Sequence, residues 1–224
     1  MNFNDVASTT QVSCTQPKSV NKGKNTTTFV SASGKAMTSS WTERQLFGGA
    51  ITCNLPSHWR DVSDVRDVPD HQEVFQDISS TRDPCFIIEI LARHDGIDGD
   101  PAQFFFRDLS EANASVESKF SVLDENLIHD PPPMCIISSG VGIQKIHRGR
   151  DTDYEGNPRE LTFEYINIEL CVLRLKHLQT DLLMTLSCTM SNYSEVQTSF
   201  SDNFRRMLST ITIRDFGLFG EDKT

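Results

Sequence analysis

The sequence predicts an α+β fold in which a mainly antiparallel sheet is sandwiched between helices. Long apolar runs at 85–93, 161–176 and 181–190 read as strands. The second of these runs has no polar face, as in a central strand covered on both sides. The links among the strands are of hairpin length, which favours antiparallel pairing with helices packed over both faces.

Taken in order, "QLFGGAITCNLP" from Gln45 is a short strand ended by Pro56, with Gly48 and Gly49 marking a bulge or close backbone approach. Trp59, Val62 and Val65 follow at helical spacing and predict one or two turns of helix before Pro69 forbids continuation. A strand resumes at Val74. "CFIIEILAR" is the next strand, and after the turn "HDGIDGDP" the run "AQFFFRD" reads as its hairpin partner. Asp108 with Glu111 three residues on is a capping arrangement, and Leu109, Ala112, Val116 and Phe120 fall on one helical face. A strand beginning near Cys135 carries Gly140 and Gly142 as bulge points. "HLQT" then joins the long central strand to "DLLMTLSCTM". Ser194 with Gln197 caps the last helix, whose stripe is Val196, Phe200, Phe204, Met207, Leu208 and Ile211.

Residues 1–40 are rich in Ser, Thr and Asn and poor in apolar periodicity, which predicts a disordered leader before a single domain at 41–224. The start lacks the basic-then-apolar pattern of a secretory signal, and no later run approaches the ~20 apolar residues of a membrane span. The expectation is a soluble intracellular protein. With four lysines and one aspartate the leader is +3, so the remainder carries −13 of a chain total of −10. Such a domain repels nucleic acid and anionic membrane and attracts basic partners.

The motifs of enzymes are missing from the pattern. Six cysteines contain no C-x-x-C pair, and those at 85, 135, 171 and 188 lie in or beside apolar runs, as reduced buried thiols do. "HDGIDGD" fails as a calcium loop, because position twelve counted from Asp95 is Phe106 where Glu is required. The six histidines are scattered, and neither a G-x-S-x-G elbow nor a phosphate-cradling G-x-x-x-x-G-K-[ST] occurs. No metal, cofactor or catalytic residue is assigned. "QKIHRGR", with Lys145, Arg148 and Arg150, reads as a modestly basic loop.

The densest charge is in "DVSDVRDVPDHQEVFQD", where Asp61, Asp64, Asp67, Asp70, Glu73 and Asp77 face Arg66 alone. Trp59, Val62, Val65 and Phe75 would anchor this segment, while Pro69 halts the helix so that Asp70 and Glu73 sit on a projecting turn. Together with "LFGGAI" at 46–51, "LP" at 55–56, "FIIEIL" and "FFFRDLSEAN", the segment resembles the Mog family, the Ran guanine nucleotide release factors. The resemblance covers residues 46–113 most strongly and leaves out 1–40.

That resemblance implies a fold similar to the PsbP photosystem proteins, an α/β/α sandwich. It also implies a non-catalytic protein of nucleus and cytoplasm that binds the small GTPase Ran and promotes release of its nucleotide during nuclear transport. It further implies a monomer, and leaves open a second Ran-binding protein in the complex. The family's P-D-x-Q-E motif falls on Pro69, Asp70, Gln72 and Glu73, with Asp64 and Arg66 as secondary contacts and His71 at the variable position without a role. The alternatives are an interaction module of the same fold with another basic or membrane-associated client, and an uncharacterised hydrolase.

Overall fold

The structure, a computed structural model, describes residues 40–148, 162–190 and 198–220. A hairpin of β1 (Trp41–Leu46) and β2 (Ile51–Pro56) is followed by β3 (Arg60–Asp61), β4 (Gln72–Gln76), β5 (Cys85–Ala92) and helix α1 (Pro101–Ala112). Then come β6 (Glu117–Val122), β7 (Ile136–Arg148), β8 (Thr162–Leu175), β9 (Thr180–Met190), helix α2 (Asp202–Ser209) and β10 (Thr212–Ile213). In the described residues β3-β4-β5-β9-β8-β7-β6 form one sheet and β1-β2-β10 a smaller one, with every pairing antiparallel.

The large sheet is the middle layer. On one side Ile166, Ile168, Leu170, Val172 and Leu183 pack against Ala102, Phe105, Phe106 and Leu109 of α1. On the other, Phe86, Ile88, Cys171, Leu173, Leu182 and Met184 meet Leu46, Ile51 and Leu55 of the small sheet and Phe204, Met207 and Leu208 of α2. So the second face is covered by a hairpin sheet as well as a helix, where helices alone were expected. β8 is the expected two-sided central strand, buried without interruption from Ile166 to Leu175.

Several local expectations are corrected. Gly48 and Gly49 form no bulge: with Phe47 they make the β1–β2 turn, and all three have positive φ, between 50° and 95°. "AQFFFRD" is not a strand, because Asp100 caps a helix by accepting from Gln103 N at 3.1 Å and Pro101 sits at its first position. Ala102, Phe105, Phe106 and Leu109 then keep helical spacing, so α1 begins at Pro101, well before Asp108, and ends at Ala112. The expected continuation of that helix through Phe120 is instead the edge strand β6. "HDGIDGD" is thus a strand-to-helix loop rather than a hairpin turn.

Gly140 and Gly142 pair regularly on both sides of β7, so neither is a bulge. They make room for rings: a Cβ on Gly142 would lie 2.5 Å from Phe106, and one on Gly140 would lie 2.5 Å from Phe120. Phe106 and Phe120 stack there at 4.5 Å between centroids. The basic "QKIHR" stretch lies in β7 rather than in a loop, with Lys145 Nζ 4.7 Å from the centre of the Phe163 ring. Ser194 and Val196 lie outside the described residues. The helix they were to begin is capped by Ser201, whose hydroxyl accepts from Phe204 N at 3.2 Å. Cys53, Cys85 and Cys171 are buried, while Cys135 and Cys188 are half-buried. Of the expected leader at 1–40, residues 1–39 fall outside the described residues.

Candidate functional site

Between β3 and β4 the acidic segment is an irregular loop pinned at both ends. Trp59, Val62 and Phe75 are buried anchors. Only one short 3₁₀ turn, Val62–Asp64, forms where a helix was expected; Asp61 caps it by accepting from Ser63 N at 2.8 Å. That turn stops five residues before Pro69, so proline is not what ends it. Val65 is no anchor either: it is 69% exposed, because it is the residue that ends the turn, where the backbone has left helical geometry at φ −125° and ψ −18°.

The proline acts at the next turn. Gln72 N donates to Pro69 O at 2.8 Å, closing a four-residue turn with Asp70 and His71 at its tip. Asp64, Arg66, Asp67, Pro69 and Asp70 are all exposed. Among the described residues, the side chains of Asp64, Arg66, Asp67 and Asp70 have no hydrogen-bond or ion-pair partner. The carboxylate of Asp70 therefore stands in solvent on a backbone that is itself fixed.

Gln72 and Glu73 open β4, and their side chains leave on opposite faces of the sheet. Glu73 accepts a 2.6 Å hydrogen bond from Phe47 N in the β1–β2 turn. Burial pushes its carboxyl above the usual range, the Phe47 N–H works against that shift, and the charge of Asp61 adds to it. Glu73 thus lies on the strand beside the turn and spends one oxygen on the fold, with its side chain half-buried.

Gln72 is only 7% exposed and points inward, so its side chain is not part of the open surface. Its amide donates to Glu89 Oε1 at 2.7 Å. Glu89, its cross-strand partner on β5, is 3% exposed, and burial pushes its carboxyl up to about 7. His71 Nε2 approaches the same oxygen at 3.5 Å. Sequence reasoning missed Glu89: it lies inside "CFIIEILAR", where its only visible signal was one acid in an apolar strand.

By strand register the loops after β5 and β8 lie at the same end of the sheet as this turn. There the carboxylates of "HDGIDGD" are occupied. Asp98 meets Arg174 at 2.8 Å, Lys176 at 3.1 Å and Arg93 at 3.4 Å, Asp95 lies 3.5 Å from Arg93, and Asp100 caps α1. Arg174, fully buried, also donates to Asp181 at 2.9 Å and to the carbonyl of His94. A cavity of about 450 Å³, lined mainly by apolar groups including Leu175, Leu178 and Phe216, opens at this end too. Among the described residues no three His, Cys, Asp or Glu side chains converge as metal ligands would.

The turn thus presents exposed carboxylates that have no cation partner among the described residues. The profile of the family described as "Ran-interacting Mog1 protein" matches residues 44–189. A Ran guanine nucleotide release factor of Danio rerio is 28% identical over 79% of this chain and 99% of its own length. A probable Ran guanine nucleotide release factor of Dictyostelium discoideum is 30% identical over 82% of this chain and 98% of its own. The crystal structure of the Saccharomyces cerevisiae Ran-binding protein Mog1p shares the fold, with a TM-score of 0.57 and 21% identity over 82% of this chain and all of that one. With its two motif blocks joined by the Glu73–Phe47 hydrogen bond and the profile spanning both, this chain belongs to the Mog1 family.

Proposed function

We propose that this protein binds the small GTPase Ran through the Pro69–Gln72 turn and promotes release of its guanine nucleotide. In this reading it acts as a monomer in nucleus and cytoplasm and serves nuclear transport. One observation carries the reading: Asp70 is an exposed carboxylate without a cation, at the tip of a turn closed by the Gln72 N to Pro69 O hydrogen bond. The names of the relatives supply the partner.

A GTPase holds phosphates with a lysine, backbone N–H groups and a magnesium ion, so its site presents positive charge once the phosphates leave. Asp70, with Asp64 and Asp67 behind it, stabilises that nucleotide-poor state. Protein and nucleotide are then negatively coupled, and each weakens the other's binding by the same factor. Release follows from differential affinity for two states, with no covalent step. Glu73 contributes its second oxygen and holds the neighbouring Phe47 turn. Arg66 orients the complex by pairing with an acid on the partner. Gln72 supports the site from inside.

The test is loss of a fluorescent guanine nucleotide from Ran. Asp70→Lys is expected to slow release on the order of tenfold, with the fold intact by circular dichroism. Release at the wild-type rate would remove the turn from the mechanism.

A further inference from the structure

A buried carboxylate needs a reason, because replacing it with an apolar side chain of similar size usually leaves a protein as stable or more so. Among the described residues two glutamates are buried in this way, Glu89 and Glu169, each 2–3% exposed. Glu169 has a structural role: it accepts from Ser201 N at 2.9 Å and Ser201 Oγ at 3.0 Å, holding the cap of α2. Glu89 is spent differently. Its contacts come from two consecutive residues of the acidic turn, Gln72 at 2.7 Å and His71 at 3.5 Å. The backbone reinforces them, since Ile90 N donates to His71 O at 2.9 Å and carries the β4–β5 ladder into the tip.

We propose that Glu89 is the positioning residue of the partner-binding turn: from beneath, its carboxylate holds Gln72 and His71 so that Asp70 is presented in one pose. This rests on the reading of the turn as the Ran-binding element. It also gives His71, at the variable position of the motif, a role as the exposed arm of the contact. His71 from the turn and Asp108 from α1 are the titratable groups facing Glu89, while Gln72 from β4 and Leu183 from β9 are its neutral neighbours. An ionised Glu89 accepts the Gln72 amide N–H more strongly than a neutral one and adds negative charge beneath an acidic tip. Affinity for a basic partner therefore rises as Glu89 ionises.

The deciding variant replaces both members of the buried contact, Glu89→Leu with Gln72→Leu. Exchanging both partners for apolar groups removes the buried carboxylate together with its amide donor, and the half-exposed His71 ring keeps its access to water, so the thermal midpoint should hold or rise. Ran affinity, measured by titration calorimetry with nucleotide-free Ran, should nonetheless fall on the order of tenfold. Wild-type affinity with the folded double variant overturns the inference, provided that Asp70→Lys weakens binding in the same assay. If Asp70→Lys binds as wild type does, the reading of the turn itself has failed. Should the double variant not fold, Glu89→Gln keeps shape and acceptor and removes only the charge. Its affinity should lose the rise between pH 6 and 8 expected of the wild type. An unchanged slope overturns the role of Glu89.

Discussion

Two acidic loops sit at one end of the same sheet, and they treat their charge in opposite ways. In the loop after β5, Asp95 and Asp98 meet Arg93, Arg174 and Lys176, and Asp181 pairs with the buried Arg174. In the loop before β4, Asp64, Asp67 and Asp70 face solvent without a partner among the described residues. Composition alone does not separate the two. Burial does: Arg174 is sealed within the sheet and demands anions, whereas among the described residues nothing cationic and buried lies beneath the Pro69 turn. Neutralised charge fixes the fold, and charge left over is available to another molecule.

The largest effect should come from unbalancing the first loop. Asp181→Ala leaves Arg174 buried without its strand partner and is expected to cost about 3 to 5 kcal/mol, read by urea unfolding. A loss below about 1 kcal/mol would mean that this loop is as dispensable to the fold as the acidic one.

A smaller effect concerns the carboxyls that are buried without a charged group in hydrogen-bond contact. Burial pushes Glu89 and Glu169 up to about 7 from an ordinary 4.5. Between those values the folded chain holds protons that the unfolded chain has released. The stability this confers is full below about pH 4.5 and is lost as pH rises through 7. Unfolding free energy should therefore fall on the order of 3 kcal/mol between pH 5 and 8, and Glu89→Gln with Glu169→Gln should flatten the profile.

Glu73 belongs to both regimes, with one oxygen on Phe47 N and one side open. Glu73→Ala, which removes the acceptor of Phe47 N, should lower stability by about 1 kcal/mol and also slow nucleotide release from Ran. A change in only one of these would assign the residue to fold or to surface alone. The smallest effect is expected at Asp64: Asp64→Asn should leave stability within about 0.5 kcal/mol. It should also reduce the salt dependence of the association rate with Ran. A stability loss above that would reveal a partner for a side chain that has none among the described residues.

Much of this was legible from residue pattern. β5, β8 and β9 announced themselves as apolar runs, and the acidic segment stood out by charge. What failed was local. Three consecutive phenylalanines read as a strand, although Asp100 and Pro101 before them carry a helix start and Ala102, Phe105, Phe106 and Leu109 its period. Val65 shared the spacing of Trp59 and Val62, yet the 3₁₀ turn ends at Asp64 and the backbone leaves helical geometry at Val65, which faces outward. The contacts that build the candidate site were beyond local pattern. Glu73 reaches back 26 residues to Phe47, and Gln72 reaches forward 17 to Glu89. Those pairs exist only once strand register is set.

The hydrogen bond from Phe47 N to Glu73 ties a glycine turn to the edge of the acidic surface, and it makes one backbone proton an informant. If a partner draws the Glu73 carboxylate away, the Phe47 amide loses its acceptor, and its chemical shift and exchange rate change with it. That single signal, followed by nuclear magnetic resonance, would time the arrival of a partner at a surface it does not itself touch.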